Sequence, residues 1–159
     1  MNAGARMASG EILLFLHVDT TLPENADRLI ESAMGDGRRI WGRFDVDIQG
    51  HSRMLRVIAA LMNWRSRITG IATGDQAIFV ARSAFESVGG YPDQPLMEDI
   101  ELCKRLRLLS PPACLRARAV TSGRRWESRG VWRTIILMWR LRWSYWRGVP
   151  VSVLAHMYE

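Results

Sequence analysis

Apolar and polar positions divide the chain into short runs, and the clearest run covers residues 12–16. Five apolar residues in succession predict a strand buried on both faces, as in the interior of a parallel sheet. The run stops at His17-Val18-Asp19. Because ligands bind at the carboxyl ends of strands in open α/β sheets, Asp19 could hold a divalent cation, Mg²⁺ or Mn²⁺. The same residues also fit a turn or a helix cap, and this motif by itself slightly favours the turn.

The remaining pattern alternates between strand-like and helix-like periods. Residues 40–48 alternate apolar with polar side chains, which predicts a half-buried strand whose solvent face carries Trp41, Arg43, Asp45 and Asp47. A buried strand is predicted over 77–80, and an edge strand over 115–121 is followed by a basic loop over 122–129. Helices or helix ends are predicted over residues 1–9, 23–34, 51–68, 84–88, 100–109 and 131–147. This order predicts one compact α/β domain.

Charge and cysteine content narrow the choice of partner and compartment. The chain carries 22 basic and 16 acidic side chains, a formal net charge of +6. This balance favours phosphates, nucleotides, acidic lipids or nucleic acid, without choosing among them. Cys103 and Cys114 form neither a disulfide framework nor a metal-ligand spacing, which fits a reducing cytoplasm. No stretch reaches the ~18 apolar residues of a membrane-spanning helix. We therefore expect a cytoplasmic protein, with peripheral contact at the inner face of the membrane as an alternative.

Acidic residues cluster where the helix over 100–109 begins. Glu98 and Asp99 follow Pro95, which restrains the preceding loop. Acids in a first turn ordinarily favour the helix dipole and cap free N–H groups, and this is the simpler interpretation. One of the two carboxylates could instead face a cleft and act in catalysis.

A second polar motif, Gly74-Asp75-Gln76, precedes the strand over 77–80. Gly74 permits close approach of the backbone to a ligand, and the side chains of Asp75 and Gln76 could bind sugar hydroxyls. An ordinary turn is the simpler interpretation of this motif when it is considered by itself.

The carboxy-terminal part combines arginine with tryptophan. Arg124 and Arg125 could grip phosphate oxygens while Trp126 stacks on a sugar or base, and a solvated loop explains the segment equally well. In the helix over 131–147, tryptophans recur at helical spacing among arginines. Such a stripe is more typical of a core or a homodimer seam than of a membrane interface, so the pattern favours packing.

Six motifs in this order resemble family-2 glycosyltransferases of the GT-A fold, and the likeness is greatest to the bacterial subgroup named for arsenosugar biosynthesis. The motifs are Asn2-Ala-Gly-Ala5, Leu14-Phe-Leu-His-Val-Asp19, Gly74-Asp-Gln-Ala-Ile-Phe-Val80, Val88-Gly-Gly-Tyr-Pro92, Met97-Glu-Asp99 and Arg124-Arg-Trp126. The resemblance covers nearly the whole chain. It implies a Rossmann-like mixed sheet flanked by helices, with a long carboxy-terminal helix and without the family's amino-terminal βαβ segment. Residues 1–159 would then be one partial domain, with a catalytic α/β part over 1–130 and a helical part over 131–159.

The resemblance also implies roles for single residues. Asp19 occupies the family's Asp-x-Asp position and would hold the metal that bridges the donor diphosphate. His17 stands where many members have Asp, which leaves its role in substrate binding open. Asp99 would be the general base, preceded by Glu98 in the family's Glu-Asp motif. Arg125 and Trp126 resemble a late Arg-Trp motif on the diphosphate or acceptor side.

These roles together predict an inverting glycosyltransferase that moves a sugar from a nucleotide-sugar donor to an acceptor hydroxyl, assisted by Mg²⁺ or Mn²⁺. The alternative is a non-catalytic or inactive fragment of the same fold that binds an anionic ligand or a membrane surface. No nucleic-acid partner is expected, because the aromatic and basic residues do not interleave as in known nucleic-acid-binding motifs.

Overall fold

The computed structural model describes residues 1–158 and shows a mixed sheet with helices on both faces. The five strands of this described part are β1 Ile12–Phe15, β2 Thr20–Thr21, β3 Trp41–Gln49, β4 Ile78–Ala81 and β5 Ala113–Ser122. The helices are α1 Asn2–Met7, α2 Ala26–Met34, α3 Met54–Thr69, α4 Arg82–Ser87, α5 Glu98–Leu109, α6 Arg124–Arg129, α7 Val131–Trp146 and α8 Val151–Tyr158. A single 3₁₀ turn, Gly74–Gln76, precedes β4.

The sheet has the strand order β1-β4-β3-β5-β2. Strands β3 and β5 are parallel, whereas β4 is antiparallel to both β1 and β3 and β2 is antiparallel to β5. The carboxyl ends of β1, β3 and β5 therefore lie at the same edge of the sheet as the amino end of β4. The predicted α/β class and mixed sheet are confirmed, and the assignment to the GT-A fold stays a prediction.

Strand β1 differs from its prediction as an interior strand of a parallel sheet. Within residues 1–158 it pairs with β4 alone, in antiparallel register, and it forms one edge of the sheet. Leu13 and Phe15 are buried, whereas Ile12 and Leu14 are half-buried. A continuous apolar run identified a strand with helices over both faces. It did not identify which strands lie beside it, because pairing depends on residues far away in sequence.

Strand β3 alternates between buried and less buried residues over 44–49, as predicted, but its first half, 41–44, is buried on both faces. Trp41 and Arg43 are almost completely buried, as is Phe44 from the other face. The indole Nε1 of Trp41 donates a hydrogen bond of 2.8 Å to the Ser110 carbonyl, and the guanidinium of Arg43 pairs with Asp45. Arg43 is buried and Asp45 and Asp47 are half-buried, because α3 and α5 cover this face of β3 and supply partners such as the Asn63 carbonyl.

The carboxy-terminal third also departs from the prediction. β5 is flanked by β3 and β2 and is not an edge strand. The predicted basic loop over 122–129 is largely the helix α6, held by Glu127, whose carboxylate accepts hydrogen bonds of 2.5 and 3.1 Å from the backbone N–H groups of His51 and Ser52. Helix α8 was not predicted, because eight residues after Pro150 carry too little periodicity to identify a helix.

Three apolar clusters hold the layers together. One joins Trp41, Ile78 and Val80 to α5, and a second, on the opposite face of the sheet, joins Phe44 and Phe79 to α2. The third cluster lies between α3, the end of β3 and the start of α7, with members Val46, Ile48, Leu55, Ile58, Ala59, Met62, Trp126, Val131 and Ile135.

Helix α7 forms as predicted, but its tryptophans do not enter the core. Thr134 and Leu141 are its buried residues, and Trp132, Trp139, Trp143 and Trp146 are all exposed. Burial against the rest of the chain is therefore wrong for this stripe, because another face of α7 makes the contact with α3. A homodimer seam stays a prediction. Among residues 1–158, no helix combines the length and apolar character needed to cross a membrane.

Candidate active site

Several of the predicted site residues meet at the edge of the sheet where β1 ends and β4 begins. His17 follows β1, the 3₁₀ turn Gly74–Gln76 leads into β4, and Asp99 lies in the first turn of α5. The antiparallel pairing of Phe15 with Ile78 brings the first two segments side by side. Residues far apart in sequence thus form a cluster of His17, Gly74, Asp75, Glu98 and Asp99, which we call the acidic cluster.

Asp99 has one carboxylate oxygen engaged and the other without a partner. The backbone N–H of Gly74 donates a hydrogen bond of 2.7 Å to Oδ2. Oδ1 is shielded from solvent and has no hydrogen-bond partner within the described residues. Burial, with a smaller contribution from the neighbouring Glu98 charge, raises the pKa of Asp99 to about 6, although the Gly74 hydrogen bond opposes the change. Asp99 is therefore a carboxyl group that can gain and lose a proton near neutral pH.

His17 and Asp75 form a second pair in the acidic cluster. The imidazole Nδ1 lies 3.5 Å from Oδ1 of Asp75, and both side chains are 36% exposed. The hydrogen bond from the imidazole to Asp75 raises the pKa of His17 above 6.5, against a lowering by burial, and the charges of Asp99 and Asp19 act in the same direction as Asp75. The positive form of His17 is thus favoured at the sheet edge.

Gly74 is required by this arrangement because the imidazole of His17 lies directly over its α-carbon. A Cβ atom at position 74 would overlap the His17 ring. The same residue supplies the N–H that binds Asp99. One glycine therefore positions both the histidine and the carboxylate of the acidic cluster.

Two residues other than glycine adopt left-handed backbone conformations beside the acidic cluster. Ala77 has φ of 47° at the end of the 3₁₀ turn, and Met97 has φ of 64° just before α5. Conformations of this kind cost about 1–2 kcal/mol in residues other than glycine. They are often found at functional sites, where the surrounding structure holds them in place.

Asp19 lies at the same edge, in the turn that joins β1 to β2, and its side chain is exposed. Within residues 1–158, no three His, Cys, Asp or Glu side chains converge in a way that could hold a metal ion. Mg²⁺ is commonly bound through one or two carboxylates together with substrate phosphate oxygens. The chemistry of Asp19 therefore fits a cation shared with a phosphorylated ligand and does not fit a cage built from protein alone.

Gln76 lies in the 3₁₀ turn, but its side chain is fully buried away from the acidic cluster. Its Nε2 donates hydrogen bonds of 3.0 Å to Ser66 and 3.3 Å to Asn63, both on α3. These contacts join the turn to α3. They give Gln76 a structural role and leave the predicted contact with a sugar hydroxyl without support.

Arg124, Arg125 and Trp126 lie on α6. The guanidinium of Arg125 donates to the hydroxyl of Tyr158 in α8, and Trp126 packs against the cluster between α3 and α7. The structure records no hydrogen bond or ion pair between these residues and the acidic cluster in the part of the chain it describes. Their contact with a diphosphate or acceptor stays a prediction.

Tyr91 is a residue that the sequence pattern did not single out for chemistry. Burial raises the pKa of its phenol, and the nearby charge of Asp99 adds to that effect. The hydroxyl group is shielded from solvent and has no hydrogen-bond partner within residues 1–158. Asn2 fixes the backbone of Tyr91 with two hydrogen bonds, of 2.8 and 3.0 Å. The signal in the sequence was the Val88-Gly-Gly-Tyr-Pro92 motif, which contributed to the family resemblance but gave Tyr91 no chemical role.

Comparison of the chain with protein-family models, with curated proteins and with solved structures found no match.

Proposed function

We propose that the chain acts as an inverting glycosyltransferase, transferring a sugar from a nucleotide-sugar donor to an acceptor hydroxyl with Asp99 as general base. The observation that carries the proposal is the free, shielded Oδ1 of Asp99, on a carboxyl group whose pKa is raised to about 6. A general base works best when its pKa lies near the working pH. The resemblance of the ordered motifs to family-2 glycosyltransferases supports the reaction class.

In this reaction the acceptor hydroxyl attacks the anomeric carbon from the face opposite the departing nucleoside diphosphate. Oδ1 of Asp99 takes the hydroxyl proton as the new bond forms, while the Gly74 N–H holds Oδ2. The sugar passes through a state with oxocarbenium character, as in glycoside hydrolysis, and its configuration inverts. The nucleoside diphosphate leaves with the electron pair of the broken bond.

The positive groups at the sheet edge stabilise the leaving diphosphate. His17, whose protonated form Asp75 favours, offers positive charge, and Arg124 and Arg125 are the proposed further contacts. Asp19 would hold Mg²⁺ or Mn²⁺ together with the diphosphate oxygens. When bound, the cation neutralises the negative charge that develops on the leaving group. Glu98 and Trp126 are proposed to contact the sugar or acceptor.

A transfer assay with a panel of nucleotide sugars tests this proposal. We expect turnover that requires Mg²⁺ or Mn²⁺ and a product whose anomeric configuration, read by NMR, is opposite to that of the donor. Asp99→Asn keeps the shape of the side chain and should lower turnover by about 10²-fold or more, while donor affinity persists. Asp93→Asn, at an exposed position, is the matched control and should keep full turnover. Equal turnover for the two variants would exclude Asp99 as the base.

A further inference from the structure

The tryptophans of α7 form an exposed apolar stripe. Their side chains are between 59% and 75% exposed, and Ile136 in the same stripe is 59% exposed. Positions 132, 136, 139, 143 and 146 follow spacings of four and three, so they share one face of the helix. Indole rings favour the boundary between water and hydrocarbon, because they have an apolar body and a polar N–H.

Arginines lie beside the tryptophan stripe. Arg133, Arg140 and Arg147 are all exposed and recur every seven residues, which places them along one flank of α7 next to the stripe. Residues 128–158 contain five arginines and no Asp or Glu. This surface therefore carries positive charge that no acid from the same segment neutralises.

The same surface contains a groove between α7 and α8. Its volume is about 710 Å³. The lining combines apolar side chains with guanidinium groups, from Ile136, Leu137, Met157, Arg129, Arg133 and Arg140. Arg129 is fixed in the groove, since its Nη1 donates a hydrogen bond of 3.0 Å to the Tyr158 carbonyl. Basic groups over an apolar floor match a molecule with a phosphate headgroup and a hydrocarbon part.

The far end of α7 is fixed to the body of the protein. The Tyr145 hydroxyl donates a hydrogen bond of 3.3 Å to Glu101 on α5, and the Lys104 ammonium lies 4.5 Å from the centre of the Tyr145 ring. The helix therefore presents its tryptophan face while its opposite side stays packed.

We propose that α7, with the groove it forms with α8, docks on a bilayer surface that carries anionic phospholipid. The tryptophan stripe enters the headgroup boundary, and the arginines bind the lipid phosphates. The positive charge of this surface favours a bilayer over a second copy of the chain as its partner. A symmetric pair through this face would set arginines against arginines without acids from the same segment, whereas anionic headgroups neutralise them.

Co-sedimentation of the chain with vesicles tests the proposal. The vesicles contain phosphatidylglycerol mixed with phosphatidylcholine, or phosphatidylcholine alone. We expect the chain to pellet with the anionic vesicles, to be released by salt, and to remain in the supernatant with the neutral vesicles. Equal pelleting with both kinds of vesicle, or with neither, would overturn the proposal.

Two pairs of variants locate the contact. Arg133→Gln/Arg140→Gln should weaken binding by about 25-fold, at about fivefold for each arginine near an anionic surface. Arg28→Gln/Arg116→Gln removes the same charge from exposed positions elsewhere and should change affinity much less. Equal losses would show that net charge alone attracts the protein and that α7 is not the docking surface.

The tryptophan stripe has its own control. Trp139→Ser/Trp143→Ser should lower vesicle affinity at least about tenfold. Trp64→Ser, on α3 and 64% exposed, should leave it unchanged. Circular dichroism checks that each variant remains folded, and brominated lipid should quench wild-type tryptophan emission. Self-association in sedimentation velocity that Trp139→Ser/Trp143→Ser abolishes, without vesicle binding by the wild type, would assign the stripe to a homodimer seam instead.

Discussion

Asp99 is a carboxyl group whose surroundings oppose its charge. Burial raises its pKa from 3.8 to about 6, and the Gly74 N–H and the charge of His17 compensate only part of that effect. A structural carboxylate is ordinarily paired or solvated, because an unpaired buried charge lowers stability. The loss of stability caused by burying the Asp99 charge is consistent with a residue retained for its chemistry.

The difference in unfolding free energy between Asp99→Asn and the wild type should therefore depend on pH. The folded protein binds the extra proton between pH 3.8 and about 6, so wild-type stability falls as pH rises through this window. Asparagine does not titrate, and its amide oxygen can still accept the Gly74 N–H. Relative to wild type, the variant should gain of the order of 2–3 kcal/mol between pH 4 and pH 7. Urea unfolding at the two pH values measures this gain, and a difference that does not change with pH would contradict the assigned environment.

Gly74→Ala tests the contact that positions His17. The added Cβ overlaps the imidazole, so we expect a loss of about 1–3 kcal/mol and a pKa of His17 that returns toward 6.5 as its contact with Asp75 breaks. The measurements are urea unfolding and an NMR titration of the imidazole. In a His17→Ala background the same substitution should cost much less, because the overlapping ring is gone. Equal costs in both backgrounds would place the strain elsewhere.

At the level of elements, local patterns identified most helices and failed where burial depended on distant partners. The spacing of apolar residues predicted α7 to within one residue of its observed end. In β3, the polar residues Arg43 and Asp45 were predicted to face solvent, but Asp45 also binds Arg67 of α3 at 2.8 Å. A pairing between a strand and a helix 22 residues further on leaves no local period in the sequence.

The edge strand β1 leads to a prediction about association. Its free side borders a cleft of about 360 Å³ lined largely by α1 and β1, and Leu16 at the end of the run is 42% exposed. Apolar edge strands pair readily with other chains. We expect concentration-dependent self-association in sedimentation velocity, reduced by Leu16→Lys. Glu11→Gln changes the net charge by the same amount near the strand and serves as the control. A monodisperse monomer at high protein concentration would contradict this expectation.

For the whole molecule, the antiparallel pairing of β1 with β4 explains how the acidic cluster assembles, because it brings the end of β1 next to the start of β4. Asp99 and Gly74 are 25 residues apart, and each was identified in sequence by a motif that also fitted a simple turn or cap. Their hydrogen bond could not be predicted from either motif, because it depends on β1, β4 and α5 meeting at one edge. The strained Met97 and the buried Tyr91 were missed for the same reason.

This geometry places the two proposed functions on different parts of the molecule. The acidic cluster lies at the sheet edge, while the exposed tryptophans and arginines lie on α7. Glu101 and Tyr145 join α7 to α5, the helix that carries Asp99 in its first turn. The proposed catalysis and the proposed surface docking thus depend on separate residues, and variants of one set can be tested without changing the other.

The pH dependence of sugar transfer tests the account most directly. With the donor and acceptor identified by the transfer assay, kcat/KM of the wild type should rise with pH through about 6 as Asp99 loses its proton. Asp99→Asn should lower kcat/KM by about 10²-fold or more and remove this rise, while Asp93→Asn keeps the wild-type profile. A wild-type rise through pH 6 that persists at full rate in Asp99→Asn would contradict the assignment of Asp99 as the base.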